Sequence, residues 1–275
     1  MDKRPVAFLD SGIGGIPYCR HFVSRNPGEP VVYLADHANF PYGGRSREEL
    51  REILRGITEE LAAREDPKIL VLACNTATVS ALSFLRDSFP RLIFVGTVPA
   101  VKPAALNSKT RRIGVLGTRR TVDDPYIQEL ADRYGGGVTI FPAAAPELVE
   151  FVEYRYARSG AEERRQAVIP YLERFRNLGV DGVVLGCTHF LFLLKEFREE
   201  AAPDLGIYDS VEGITRRIES LLDGGLSGGP GGGLAETPAG GGAAFRRFYV
   251  REGSPEGESP WPFWAAGMGF ELMKL

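Results

Sequence analysis

The chain has 275 residues, 44% of them apolar and 25% charged, and its 33 Lys and Arg against 36 Asp and Glu give a formal net charge of -3. That composition excludes wholesale disorder, and the charge balance argues against a surface built to grip nucleic acid or an anionic membrane. Three cysteines make no disulfide framework and fit a reducing compartment. The charged start and the short apolar run Val6 to Leu9 do not read as a secretory leader. No stretch approaches the roughly 20 apolar residues of a membrane span. A cytoplasmic protein is the expectation.

Short apolar runs alternate with helical patterns. Val6-Ala7-Phe8-Leu9 reads as a buried strand stopped by Asp10-Ser11-Gly12, and Val31 to Ala35 as a second. Residues 48–64 have helical spacing, with Leu50, Ile53, Leu54, Ile57 and Leu61 on one face. Strands follow at 69–73 and 92–95. The pattern restarts with strands at 113–116 and 138–141. A helix is expected over 161–178, where Pro170 predicts a kink or a boundary. Residues 183–185 form another strand, Ile207-Tyr208 precedes Asp209-Ser210, and a helix runs over 211–222. Apolar strands separated by helices indicate mainly parallel sheets covered on both faces.

A faint internal repeat accompanies the restart. Lys68-Ile69-Leu70-Val71-Leu72-Ala73-Cys74-Asn75-Thr76 resembles Asp181-Gly182-Val183-Val184-Leu185-Gly186-Cys187-Thr188-His189. In each, a strand delivers a cysteine and then polar residues. Residues 224–244 are dominated by glycine and read as a flexible linker. Phe245 to Val250 then reads as a last strand. Trp261-Pro262-Phe263-Trp264 reads as part of a loose tail pinned by its aromatic side chains.

Several motifs could carry chemistry. Asp10-Ser11-Gly12-Ile13-Gly14-Gly15 sits at a strand end, but Pro17 occupies the last glycine position of a dinucleotide fingerprint and no Walker Lys-Ser/Thr pair follows. Alone it equally fits a tight turn with Asp10 and Ser11 as capping groups. Pro41-Tyr42-Gly43-Gly44-Arg45 alone is an ordinary loop. Cys19 reads as an inert helix-face residue. The three histidines (His21, His37, His189) show no zinc spacing with the cysteines, and no Cys-x-x-Cys occurs, so neither metal nor cofactor is expected. One cysteine after a strand usually packs as a small hydrophobe. Two at matching positions, each beside hydroxyl, amide or imidazole groups, suit inversion of a carbon that bears a hydrogen. One thiolate takes the proton from one face and one thiol returns a proton to the other. A free thiol pKa near 8.5 lets both forms coexist at neutral pH with modest tuning.

Together Asp10-Ser11-Gly12-x-Gly14-Gly15, Pro41-Tyr42-Gly43, Cys74-Asn75-Thr76-Ala77 and Gly186-Cys187-Thr188-His189 resemble, in order and approximate spacing, the glutamate racemases of the aspartate/glutamate racemase superfamily. The resemblance covers about residues 5–222, and Phe248-Tyr249-Val250 resembles the family's last strand. It implies an isomerase, working without cofactor, that interconverts L- and D-glutamate and feeds D-glutamate to peptidoglycan and hence cell-wall synthesis. It implies Cys74 and Cys187 as the catalytic thiols, assisted by Asp10 and His189. Asp10, Ser11, Tyr42, Gly43, Asn75, Thr76, Thr188 and His189 match substrate-contacting positions. Thr118, Thr121 and Glu153 are further candidates. The implied fold is two similar α/β lobes with the site in the cleft between them: residues 1–98 with 209–275, and 99–208. Expected partners are glutamate and, at most, a second copy in a homodimer, with no nucleic acid and no membrane.

His189 stands where aspartate racemases often carry Glu, which favours glutamate. An aspartate or related amino-acid racemase, a thiol-dependent lyase or decarboxylase of a dicarboxylate, and a two-lobed anion-binding protein stay as alternatives. The Gly-rich stretch and the residues after Arg251 depart from the family's compact ending.

Overall fold

The computed structural model describes residues 2–134, 136–224, 244–252 and 260–274. In chain order the regular elements are β1 (Val6–Asp10), α1 (Ile16–Arg25), β2 (Val31–Ala35), α2 (Arg47–Glu65), β3 (Ile69–Leu72), α3 (Asn75–Ser88) and β4 (Ile93–Gly96). Then come α4 (Val101–Asn107), β5 (Arg112–Gly117), α5 (Arg119–Val122), α6 (Pro125–Tyr134), β6 (Thr139–Ala144), α7 (Pro146–Glu150), α8 (Ala161–Asn177), β7 (Gly182–Leu185), α9 (Leu194–Ala201) and β8 (Gly206–Tyr208). The last are α10 (Val211–Asp223), β9 (Arg246–Val250), α11 (Trp261–Met268) and β10 (Glu271–Lys274). The chain divides into two compact units, residues 1–97 with 211–275, and residues 98–210.

The first unit is built on a six-stranded sheet of order β10-β9-β2-β1-β3-β4, parallel throughout. Its inner strands β1, β2 and β3 are wholly buried, as their unbroken apolar runs require of a sheet covered on both faces. Helix α2 starts at a Ser46–Glu49 capping box and buries Leu50, Leu54, Ile57 and Leu61 against the sheet and α3. The second unit holds a four-stranded parallel sheet of order β6-β5-β7-β8, over which α4 and α6 pack with Val101, Ala104, Ile127 and Leu130. Within each sheet the strands are parallel, so their carboxyl ends share one edge of that sheet, which is where open parallel sheets place their ligands.

Two sequence expectations are corrected. Helix α8 continues past Pro170, so no boundary falls there: Pro170 faces solvent while Val168, Leu172 and Phe175 are buried. The expected loose tail is instead an ordered α/β addition. Pro262 sits in the first turn of α11, the helix closes on Gly269 at φ 68°, and β10 pairs with β9 as the outermost strand. The expected linker at 224–244 lies, apart from its two end residues, outside the described residues.

Strand β9 pairs with β2 from Val31↔Arg246 to Ala35↔Val250 and is fastened to α2 by a buried carboxylate. Glu65 accepts hydrogen bonds from Arg247 Nη1 at 2.9 and 3.0 Å and from the Tyr249 hydroxyl. Burial, and then Glu65, push the Tyr249 phenol up to about 12. A phenol whose folded pKa is raised contributes stability that is complete below its ordinary value near 10 and is lost as pH climbs from there through about 12. We predict that Glu65→Ala lowers unfolding free energy by about 1–3 kcal/mol in urea titrations, because Tyr249 loses its acceptor. The variant should also lose less stability than wild type between neutral pH and strongly alkaline pH.

Candidate active site

In the first unit the strand ends converge on one polar cluster. Asp10, the last residue of β1, is fully buried, and its Oδ1 accepts the Gly12 amide at 2.8 Å, which folds Asp10-Ser11-Gly12 into a tight turn. Tyr33 in β2 braces that turn by donating its hydroxyl to the Gly12 carbonyl at 2.8 Å. Gly15 opens α1, and a Cβ there would lie 2.7 Å from that of Ala73 and 3.1 Å from that of Asp10, so the turn can sit against the end of β3 only with glycine at this position.

Two short 3₁₀ turns, His37–Asn39 and Tyr42–Gly44, follow β2. The Tyr42 hydroxyl donates to Asp36 Oδ2 at 2.7 Å, and Asn39 Nδ2 donates to both Asp36 oxygens. Burial pushes the Asp36 carboxyl up, opposed by these hydrogen bonds and by Arg251. Burial pushes the Tyr42 hydroxyl well above its ordinary value, and the acidic groups of Asp36, Cys74 and Asp10 add to the rise. The candidate residues of this half therefore share one electrostatic neighbourhood. Gly43, in the second turn, is half-buried.

Cys74 follows β3 in extended conformation and immediately precedes α3, whose first residues are Asn75 and Thr76, both buried. Neither the nitrogen nor the oxygen of the Asn75 carboxamide finds a hydrogen-bond partner among the described residues. An unpaired buried amide costs roughly 1–3 kcal/mol, so its retention at a helix N-terminus beside a thiol points to a ligand that satisfies it. We predict that Asn75→Ala raises the thermal midpoint of the free protein while lowering kcat/KM by on the order of 10²-fold. A lower midpoint would show that the carboxamide is structural.

The second unit repeats the arrangement. Cys187 follows β7 in the same extended conformation (φ -135°, ψ 135°, against -141°, 120° at Cys74) and precedes a 3₁₀ turn over Thr188–Leu193 that leads into α9. Cys187, Thr188 and His189 are buried. His189 Nδ1 lies 3.9 Å from Cys187 Sγ, and Nε2 lies 2.9 Å from Glu153 Oε2. Glu153 reaches inward from a π-helical turn over Phe151–Arg155, the kind of widened turn that often marks a functional site. A carboxylate on Nε2–H fixes the orientation of the imidazole and leaves Nδ1 facing the sulfur. Thr118 is half-buried and caps α5, its Oγ1 accepting the Thr121 amide at 3.2 Å and meeting Thr121 Oγ1 at 3.0 Å.

The candidate residues thus fall into two sets, Asp10, Ser11, Tyr42, Gly43, Cys74, Asn75 and Thr76 in the first unit, and Cys187, Thr188 and His189 in the second. Asp36 joins the first set unforeseen. Its signal was its place one residue beyond β2, matching Asp10 at the end of β1. Cys19 is buried in α1, and burial pushes its thiol well up, as an inert cysteine requires. Among the described residues no three His, Cys, Asp or Glu side chains are arranged to hold a metal ion, and no helix is long and apolar enough to cross a membrane.

A sequence profile of the Asp/Glu/Hydantoin racemase family matches residues 18–217. A glutamate racemase of Herpetosiphon aurantiacus is 39% identical over 222 residues, 81% of this chain and 86% of that protein. One of Sphingopyxis alaskensis is 40% identical over 222 residues, 80% of this chain and 82% of that one. Among solved structures, Escherichia coli glutamate racemase in complex with L-glutamate and the activator UDP-MurNAc-ala is similar with a TM-score of 0.80 and 29% identity, over 98% of this chain and 97% of that chain.

Proposed function

The chain is an isomerase of the Asp/Glu/Hydantoin racemase family, and from that premise we propose that it interconverts L- and D-glutamate by proton transfer at Cα between two thiols, Cys74 and Cys187. The observation that carries the reading is the pair of equivalent strand-to-helix junctions, each placing a buried cysteine in the same backbone conformation among polar side chains. In the forward step one thiolate removes the Cα proton and becomes a thiol. The electron pair left on carbon delocalises into the α-carboxylate. The other thiol then delivers its proton to the opposite face and becomes the thiolate, so the reverse reaction starts with the roles exchanged. The unpaired Asn75 amide, Thr76, Ser11 and the start of α3 supply donors for substrate carboxylate, whose charge grows as the proton leaves. In the second unit, Glu153 holds His189 beside the Cys187 sulfur.

Glutamate is favoured over aspartate by His189 and by the names of the relatives at 39% and 40% identity. The D-glutamate produced in the cytoplasm would feed peptidoglycan synthesis, which the family resemblance supports. The test is polarimetric. Protein dialysed exhaustively against chelator is given each glutamate enantiomer, and the circular dichroism signal should decay to zero from both sides. Faster turnover of aspartate by kcat/KM, release of carbon dioxide, or binding without turnover would each replace this reading with a different one.

A further inference from the structure

The ordered C-terminal addition reaches back to the loop that carries Tyr42. Trp261, the first residue of α11, is 2% exposed, and its ring meets the His37 ring edge-on with centroids 5.2 Å apart. His37 stacks in turn on Phe40 at 5.5 Å with 14° between the planes. Phe40 is two residues before Tyr42. On its other side Trp261 contacts Phe248 of β9 at 6.1 Å, and Phe248 packs at 4.9 Å on Tyr33, whose hydroxyl braces the Gly12 carbonyl. The backbone adds a further tie, for Ala38 N donates to the Arg251 carbonyl at 2.7 Å, just beyond β9.

Beyond Asp36, whose amide donates to the Asp10 carbonyl at 2.9 Å, residues 37–45 form two 3₁₀ turns closed by local hydrogen bonds, and among the described residues the strand pairings of β2 end at Ala35. Segments of this kind open at low free energy unless side chains hold them. The Tyr42 end packs into the core beside α2 and α3, whereas the His37 end is tied to the last part of the chain, through Trp261 and the Arg251 carbonyl. We infer that Trp261 is a positioning residue: through His37 and Phe40 it fixes the Tyr42 loop, and through Phe248 and Tyr33 it backs the Asp10-Ser11-Gly12 turn, so that the C-terminal α/β addition preorganises substrate binding in the first unit. This rests on the glutamate racemase reading only for its kinetic readout. A loop that must be reordered by each incoming substrate weakens ground-state and transition-state binding together, which raises KM and leaves kcat nearly unchanged.

The experiment compares Trp261→Ala, Trp261→Phe, His37→Ala and Met268→Ala in the full chain. Met268 is the control, since it lies in the same helix at 9% exposure and borders a hollow lined by Arg20, Val23 and Ser24 of α1. Trp261→Ala and His37→Ala should raise KM for both enantiomers by on the order of tenfold with kcat changed less than about twofold. Trp261→Phe should recover most of the loss. Met268→Ala should lower the thermal midpoint while leaving KM in place. Amide exchange across 37–42 should accelerate in Trp261→Ala and not in Met268→Ala. If Trp261→Ala does not fold, His37→Ala decides alone, because it leaves the indole in the core. Unchanged KM in an active His37→Ala protein, or KM rising equally in Met268→Ala, overturns the inference. Inactive wild type overturns the racemase reading instead, and amide exchange then decides the loop.

Discussion

Cys74→Ser and Cys187→Ser should each reduce racemisation by at least roughly 10³-fold while leaving the fold intact. Both side chains are buried, at 6% and 5% exposure, and the substitution exchanges sulfur for a smaller oxygen, so the change in volume is slight. What changes is basicity, since a serine hydroxyl is scarcely ionised at neutral pH and is not a competent base without help. Inversion needs a base on one face of Cα and an acid on the other, so one remaining thiol does not suffice. In the mechanism we propose, with the roles that the family resemblance implies, Cys74 would take the proton of D-glutamate and Cys187 that of L-glutamate. Each variant should then exchange the Cα proton of one enantiomer with deuterated water without inverting it. Wild type should place solvent deuterium in the inverted product from the first turnover, because the donating thiol has already exchanged. Inverted product that keeps its original hydrogen would establish a single shuttling base. Racemisation persisting at wild-type rate in either folded variant would remove the two-thiol mechanism.

The parts of the molecule that could be read from the sequence are those where one physical cause dominates. Unbroken apolar runs such as Val6 to Leu9 and Ile69 to Leu72 can be buried only in a sheet covered on both faces, and they are. The 3.6-residue stripe of Leu50, Leu54, Ile57 and Leu61 marked α2 to within a residue at each end. The cysteine junctions were legible because the pattern occurs twice. Illegible were features whose cause lies far along the chain. Trp261 and Trp264 between prolines and glycines carry no periodicity, and their helix forms because β9 offers Phe248 and a free edge. Asp36 is a loop acid until Tyr42 is seen donating to it. Glu153 was a candidate through the family resemblance alone, because its π-helical turn buries Phe151, Val152 and Glu153 in succession, a pattern that no single helix face produces. Its role depends on His189, 36 residues away.

That distant contact makes Glu153→Gln the sharpest probe of the second unit. Glutamine keeps the size and one hydrogen bond to Nε2 but removes the negative charge beside His189, the side chain that faces the Cys187 sulfur and would support its proton transfers in the proposed mechanism. We predict a fall in kcat/KM on the order of 10²-fold, with the exposed neighbour Glu150→Gln within about twofold of wild type. The fall must be equal for both enantiomers. They have the same free energy in water, the equilibrium constant is one, and the two values of kcat/KM are therefore tied. The direction of the damage appears instead in isotope effects. Proton transfers at Cys187 become the slow steps. For L-glutamate deuterated at Cα, the transfer to Cys187 carries the label, so its primary isotope effect should rise. For deuterated D-glutamate the label goes first to Cys74, ahead of the slow step, so its effect should shrink while the solvent isotope effect grows. Isotope effects that change alike for the two enantiomers would show that Glu153 supports the fold of the site without tuning Cys187. A larger effect on D-glutamate would show that the thiols carry the opposite assignments.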